Sequence, residues 1–127
     1  MRLALDTNRY RDLVDGDRGV VDALERADAV WIPFVVLAEL RAGFVVGRKG
    51  RENERTLQRF MSKDGVSTLF ASDATTHVYG TLYRQLRQQG TPIPTHDLWI
   101  AALVVEHSLT LFSRDRHFDH LAQLDRL

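Results

Sequence analysis

The chain has 127 residues, no cysteine and a formal net charge of zero. This is the usual size of one domain with one sizeable core, and we therefore predict a single domain over 1–127. The absence of cysteine excludes disulfide bonds, thiol catalysis and cysteine-ligated zinc. No apolar run is long enough to span a bilayer, and Asp6 interrupts the first apolar stretch. We expect no membrane segment, no secretory signal and a cytoplasmic protein.

The basic residues are unusual in type rather than in number. Lys49 and Lys63 are the only lysines, and the other basic side chains are arginines. Arginine presents a rigid fork that fits phosphate, which favours a nucleic-acid ligand. Codon bias in a GC-rich genome explains the same composition equally well, so the origin of this preference stays open.

The first half of the chain alternates short apolar runs with amphipathic segments. A strand is predicted over 2–5, and a second strand over 29–32 is closed by Pro33. Helices are predicted between and after these strands, over 7–14, 17–27, 34–47 and 51–63. The 34–47 segment is apolar throughout, so we expect a buried helix. The charged 51–63 segment carries only a narrow apolar stripe and should be an exposed helix.

The second half continues the alternation. Strands are predicted over 66–70 and 109–112, and a helix over 73–89 should stop at Gly90. Thr95 is the expected N-cap of an apolar, buried helix over 96–107. Strands that alternate with helices form a parallel sheet covered on both faces. We therefore predict an α/β fold whose site lies beyond the carboxyl ends of the strands.

Two acids directly follow predicted strands. Asp6 comes after the first strand, and Ser113 and Asp115 come after the last. If both strands are central and parallel, these residues emerge at the same edge of the sheet. Each acid by itself also fits the ordinary role of a helix cap, which is the commoner use of an aspartate at such a position.

Two further acids lie on apolar helices. Glu39 is surrounded by apolar helical neighbours, where a carboxylate is costly unless a cation meets it. Asp97 lies in the first turn of the 96–107 helix, where the helix dipole also favours an acid. Carboxylates gathered in one cleft repel each other and call for a hard divalent cation. Oxygen-only ligation suits magnesium or manganese.

Four segments carrying these acids resemble the motifs of PIN-domain proteins, and most closely those of VapC-type toxins. The segments are 3–8, 37–43, 93–102 and 109–118. The resemblance runs from the first strand almost to the C-terminus, and four motifs in this order are specific. It implies a three-layer α/β/α domain with a central parallel sheet, Mg²⁺ or Mn²⁺ as cofactor, and hydrolysis of RNA.

The same resemblance assigns roles to residues. Asp6 and Asp97 are expected as the firmest metal ligands, with Asp115 and Glu39 completing the catalytic site directly or through water. Ser113 stands where threonine is usual and should supply the same hydroxyl, and His96 replaces a common asparagine. Asn8 is expected to orient the loop or a bound water. Four arginines are candidates to hold RNA phosphates: Arg9, Arg41, Arg114 and Arg116.

VapC-type proteins also imply partners, namely an RNA substrate, a small cognate antitoxin and a second copy of the toxin. The helices over 34–47 and 96–107 and the stripe on 51–63 are candidate contact surfaces, unless they are simply core. Two other functions stay open at this point. A phosphatase or phosphoacceptor would need a lysine near the last strand, and none follows Lys63. A PIN-like module that only binds RNA or protein would be expected to have lost acids.

Smaller alternatives concern the aromatic residues. His117 and His120 lie near Asp115 and could form a nitrogen-rich metal site, but we expect them on the surface or packed in the last turn. Trp31 and Trp99 are expected in the core rather than as platforms for stacked bases.

Overall fold

The computed structural model describes all residues 1–127 and contains one five-stranded sheet. The strand order is β3-β2-β1-β4-β5, and every neighbouring pair is parallel. The strands are β1 (Arg2–Leu5), β2 (Ala29–Pro33), β3 (Val66–Leu69), β4 (Thr110–Phe112) and β5 (Asp125–Arg126). The predicted parallel sheet is thus confirmed, with β1 at its centre.

Helices cover the sheet in the predicted three-layer α/β/α arrangement, with α5 packed on α6 and α3 on α4. They are α1 (Thr7–Val14), α2 (Arg18–Arg26), α3 (Phe34–Val46), α4 (Gly50–Met61), α5 (Asp73–Gln89) and α6 (Thr95–Glu106). A 3₁₀ helix over Arg116–His120 follows β4. None of the helices is both long and apolar enough to cross a bilayer.

Local sequence explains most helix ends. Gly90 adopts a left-handed conformation with φ of 71° and ends α5, as predicted. The prediction that Thr95 caps α6 was wrong by one position, because Thr95 is the first helical residue and Pro94 precedes it as the cap. Proline has the fixed φ, −57° here, that suits a helix entrance.

The buried core is continuous between the sheet and its helices. The strands contribute Leu3, Leu5 and Leu111, whose side chains are fully buried. Helix α6 is apolar on all sides and is buried from Leu98 to Val104 except for the half-buried Trp99. Its burial confirms the prediction of a buried helix over 96–107. Most of this helix is therefore core and does not offer a contact surface for a partner.

Helix α3 departs from its prediction of burial along its whole length. Its first two turns are buried, but Val45 and Val46 are 84% and 86% exposed. The prediction of burial over 34–47 is therefore wrong for the last turn, because an apolar sequence does not by itself supply a neighbouring element that covers it.

Strand β5 was not predicted. It has two charged residues, Asp125 and Arg126, and no apolar pattern that marks a strand. It pairs with β4 through Thr110 and Leu111, and the Thr110 hydroxyl also donates a 2.8 Å hydrogen bond to the Asp125 carboxylate.

Candidate active site

The carboxyl edge of the two central strands brings Asp6 and Ser113 together. β1 and β4 pair in register up to Leu5 and Phe112, and the Asp6 backbone N–H donates to the Phe112 carbonyl at 3.1 Å. The residue that follows β4 is Ser113, whose hydroxyl donates to Asp6 Oδ2 at 2.6 Å. Both side chains are buried, so this hydrogen bond is shielded from solvent.

Asn8 ties the same two residues to the neighbouring loop. Its amide nitrogen donates to Asp6 Oδ2 at 3.3 Å and to the Ser113 hydroxyl at 3.2 Å. Its amide oxygen accepts from the backbone N–H of Arg114 at 3.3 Å. The Ser113 hydroxyl also accepts from the backbone N–H of Asp115 at 3.1 Å. These bonds fix the loop that carries Asp115 against Asp6.

Asp97 and Asp115 meet at His117. The His117 Nδ1 atom is 2.8 Å from Asp97 Oδ2 and 3.2 Å from Asp115 Oδ1. One ligand atom from each of the three residues lies within 4.8 Å of the other two, a spacing that a metal ion can bridge. We call these three residues the ligand cluster. Asp97 enters from the first turn of α6, and Asp115 and His117 from the start of the 3₁₀ helix.

His117 lies on the surface, as predicted, and its half-exposed ring also contacts Asp97 and Asp115. Its place in the ligand cluster was not among the predicted site residues. The available signal was its position two residues after Asp115. His120 contributes only its backbone carbonyl, which accepts from Gln89, and the proposed pairing of the two histidines in one metal site does not occur.

Burial and mutual repulsion perturb two of the acids. Burial raises the pKa of Asp6 above its usual value, opposed by hydrogen bonds from Ser113 and Thr7 and reinforced by the charges of Glu39 and Asp115. Burial also raises the pKa of Asp97, opposed by the His117 hydrogen bond and reinforced by Asp115 and Asp6. Conversely, the hydrogen bond to Asp97 raises the pKa of His117. The cleft thus holds more negative charge than its surroundings stabilise.

Glu39 lies at the edge of this cleft and is held by polar neighbours. Thr7 Oγ1 donates to Glu39 Oε2 at 2.8 Å, and His96 Nδ1 is 3.3 Å from Oε1. No arginine forms an ion pair with Glu39. His96, the residue that departs from the family pattern, contacts this acid directly.

The four candidate arginines differ in their surroundings. Arg114 forms two hydrogen bonds with Asp12, at 2.9 and 3.1 Å, and Arg9 donates to the same carboxylate at 3.2 Å. Arg9 also lies over the Phe112 ring, 4.9 Å from its centroid. Both flank the loop of Asp6 and Ser113. Arg41 instead turns to α4 and binds Glu54 through two hydrogen bonds, and Arg116 is exposed on the 3₁₀ helix.

Comparison with known proteins identifies the class to which this fold and site belong. The PIN-domain family model matches residues 3–124, and the chain therefore belongs to the PIN-domain family. Within that family it is similar to the VapC ribonucleases. Ribonuclease VapC2 of Rickettsia felis is 30% identical over 95 residues, which cover 75% of this chain and 69% of that protein.

Ribonuclease VapC5 of Mycobacterium tuberculosis is also 30% identical, over 98 residues that cover 77% of this chain and 70% of that protein. Among solved structures, VapBC2 from Rickettsia felis bound to a DNA fragment from its promoter has a TM-score of 0.89 and 27% identity. That alignment covers 100% of this chain and 98% of the other. The predicted resemblance is confirmed.

Proposed function

We propose that this chain is a single-domain endoribonuclease, dependent on Mg²⁺ or Mn²⁺, and the toxin of a VapBC-like toxin–antitoxin pair. The observation that carries the proposal is the ligand cluster of Asp97, Asp115 and His117 beside the buried Asp6. Relatives named ribonucleases support the activity. A module that only binds RNA would not need to retain four acids in one cleft.

The donor set fits a divalent cation. Aspartate oxygens are the ligands that Mg²⁺ and Mn²⁺ prefer, and one imidazole nitrogen is better matched to Mn²⁺. Asp97 and Asp115 would hold the ion, and Asp6 and Glu39, which are outside the ligand cluster, would contact it directly or through water. Burial, reinforced by repulsion from neighbouring carboxylates, raises the pKa of Asp6 and of Asp97, and a bound cation would favour the ionised form of both. When bound, the ion supplies activation of water and neutralisation of phosphate charge.

The chain's own residues position this chemistry. Ser113 and Asn8 orient the Asp6 carboxylate, and Thr7 orients Glu39. Asp12 holds Arg9 and Arg114 beside the same loop, where their guanidinium groups would contact phosphates flanking the cleaved bond. Preorganised groups of this kind favour the transition state because they need not reorient during the reaction.

A small antitoxin is the proposed protein partner, because structures similar to this chain are VapBC complexes. A cavity of about 610 Å³ is lined by none of the four acids of the site. Its lining is mainly apolar and comes largely from α1, α2 and α4, with Leu13, Leu24 and Phe60 among the residues. Side chains of both charges, including Lys63 and Asp64, border it. An apolar antitoxin segment would fit this surface. A homodimer of the toxin remains part of the proposal.

The experiment that tests the activity is cleavage of mixed cellular RNA by purified protein, free of antitoxin. Reactions contain Mg²⁺, Mn²⁺ or a chelator, and each is repeated with Asp97→Asn and with the control Asp22→Asn, an exposed acid on α2. We expect fragments that require metal, that disappear with Asp97→Asn and that persist with the control. Cleavage that survives both the chelator and Asp97→Asn would refute the assignment.

A further inference from the structure

Aromatic side chains form a continuous row that begins at the carboxyl edge of the sheet, where Asp6 also lies. Phe70 stacks on Phe34 with ring centroids 6.5 Å apart and planes within 17° of parallel. Phe34 packs edge-on against Trp99 at 6.2 Å, and Trp99 contacts Tyr79 at 4.5 Å. We call these four residues the aromatic row. Its outer member, Phe70, is 68% exposed, and because its ring stacks on Phe34 it is part of a contiguous aromatic patch and not a singly scattered apolar side chain.

The sheet topology places the aromatic row in line with the active site. Asp6, Phe34 and Phe70 are the residues that directly follow β1, β2 and β3, three strands that are neighbours in this order. Adjacent strands are about 5 Å apart, so Phe34 and Phe70 follow their strands roughly 5 and 10 Å from Asp6 across the sheet. These backbone separations are compatible with a base next to a phosphodiester that a cation would hold at the acids.

The row is also rigid before any ligand arrives. Phe34 is clamped between Phe70 and Trp99, and Trp99 is in turn backed by Tyr79. The inner three rings are half-buried and only Phe70 is largely exposed. When a base stacks on Phe70, most of the conformational entropy lost would therefore be that of the RNA, because the protein side chains are already ordered.

Charge gives a reason why this protein needs such contacts with RNA. The chain has no net charge, and three of the four candidate arginines are already paired, Arg9 and Arg114 with Asp12 and Arg41 with Glu54. Only Arg116 is exposed without an acidic partner. Attraction of phosphates is therefore weaker than in a strongly basic nuclease. Stacking on aromatic rings is the other large source of affinity for single-stranded nucleic acid, and every base has a face that can stack.

We propose that the aromatic row is a base-binding subsite, in which an unpaired RNA base next to the cleaved phosphodiester stacks on Phe70. The proposal rests on the proposed ribonuclease function and adds to it a stacking contact outside the acidic cleft. Recognition is by stacking and not by hydrogen bonding, so this subsite selects for an unpaired base and tolerates different bases.

The test compares binding of a short, fluorescein-labelled oligouridylate by Phe70→Ala, Phe70→Leu and Phe70→Trp with binding by their parent. All carry Asp97→Asn so that RNA is not consumed, and Val46→Ala, on the exposed last turn of α3, is the matched apolar control. Fluorescence anisotropy gives Kd over a range of salt concentrations. We expect Phe70→Ala and Phe70→Leu to weaken binding about tenfold, the loss typical of one base stack, and Phe70→Trp to retain it.

Two further readouts identify stacking as the cause. The factor lost in Phe70→Ala should be the same at every salt concentration, whereas Arg114→Gln should flatten the salt dependence because it removes a phosphate contact. An oligouridylate with one abasic position should lose affinity for the parent protein when that position lies over Phe70. It should lose nothing further with Phe70→Ala, because the two changes remove the same contact.

Equal affinity of Phe70→Ala and the parent would overturn the inference. So would a change from dimer to monomer in light scattering with RNA affinity unchanged, since the row would then be a contact between copies. Failure of the parent to bind the RNA at all would also overturn it. The cleavage assay on the wild-type chain, run beside these measurements, shows whether the proposed ribonuclease function fails with it.

Discussion

Replacing Asp97 by asparagine should stabilise the metal-free protein. Asp97 and Asp115 offer ligand atoms within 4.8 Å of each other, and two unit charges at that distance repel by about 3.5 kcal/mol at an effective dielectric of 20. The substitution also weakens the hydrogen bond to His117, worth about 1.5–3 kcal/mol when charged. Because the His117 ring is half exposed, the lower part of that range applies.

The balance is a gain of about 2 kcal/mol in the free energy of unfolding. For 127 residues the entropy of unfolding is about 0.27 kcal/mol/K, so the melting temperature should rise by about 7 °C. Excess Mn²⁺ should reverse the order, since a ligand at a hundred times its Kd stabilises the wild type by about 2.7 kcal/mol, or roughly 10 °C. The variant has lost a ligand and should gain much less.

Thermal unfolding by circular dichroism, with a chelator and with a Mn²⁺ titration, measures both effects. Asp22→Asn provides the control, because this acid is exposed on α2 and away from the ligand cluster. If Asp97→Asn melts below the wild type in chelator, like-charge repulsion does not dominate the cleft. If Mn²⁺ raises the melting temperatures of wild type and variant equally, Asp97 is not a ligand.

Two more predictions concern residues that support the acids. Ser113→Ala removes the 2.6 Å hydrogen bond to Asp6 and an acceptor for the Asp115 N–H. It should therefore lower the free energy of unfolding, measured by chemical denaturation, by about 1–3 kcal/mol and reduce RNA cleavage, whereas Ser113→Thr should keep both hydrogen bonds. Equal stability and cleavage of the two variants would contradict this role. His117 has a raised pKa when folded, so its contribution to stability is complete below its unfolded value of 6.5 and is lost as the pH rises through the folded pKa. The metal-free wild type should therefore lose stability above about pH 6.5, and His117→Gln should remove that part of the pH dependence. If the variant shows the same dependence of stability on pH as the wild type, the ion pair between His117 and Asp97 does not contribute to stability.

The sequence was sufficient for the alternation of elements and for the edge where the acids gather. Apolar periodicity distinguishes strands from helices locally, and an all-apolar segment such as that of α6 has to be buried. Parallel strands point their carboxyl ends the same way, so residues that follow β1 and β4 meet regardless of loop detail. In the structure Asp6 and Asp115 do cap helices, Asp6 accepting from the Thr7 N–H and Asp115 from the His117 N–H. Only the motif resemblance suggested that these two acids also bind a metal.

Tertiary structure decided the contacts between side chains that are distant in sequence. The approach of His117 to Asp97, the pairing of Arg114 with Asp12 and the stacking of Phe70 on Phe34 each depend on the path of a loop and on one rotamer. No local pattern encodes these choices, because an exposed charged or aromatic residue gives the same signal whether or not a partner is near. Strand β5 shows the same limit, since two charged residues become a strand only because β4 lies beside them.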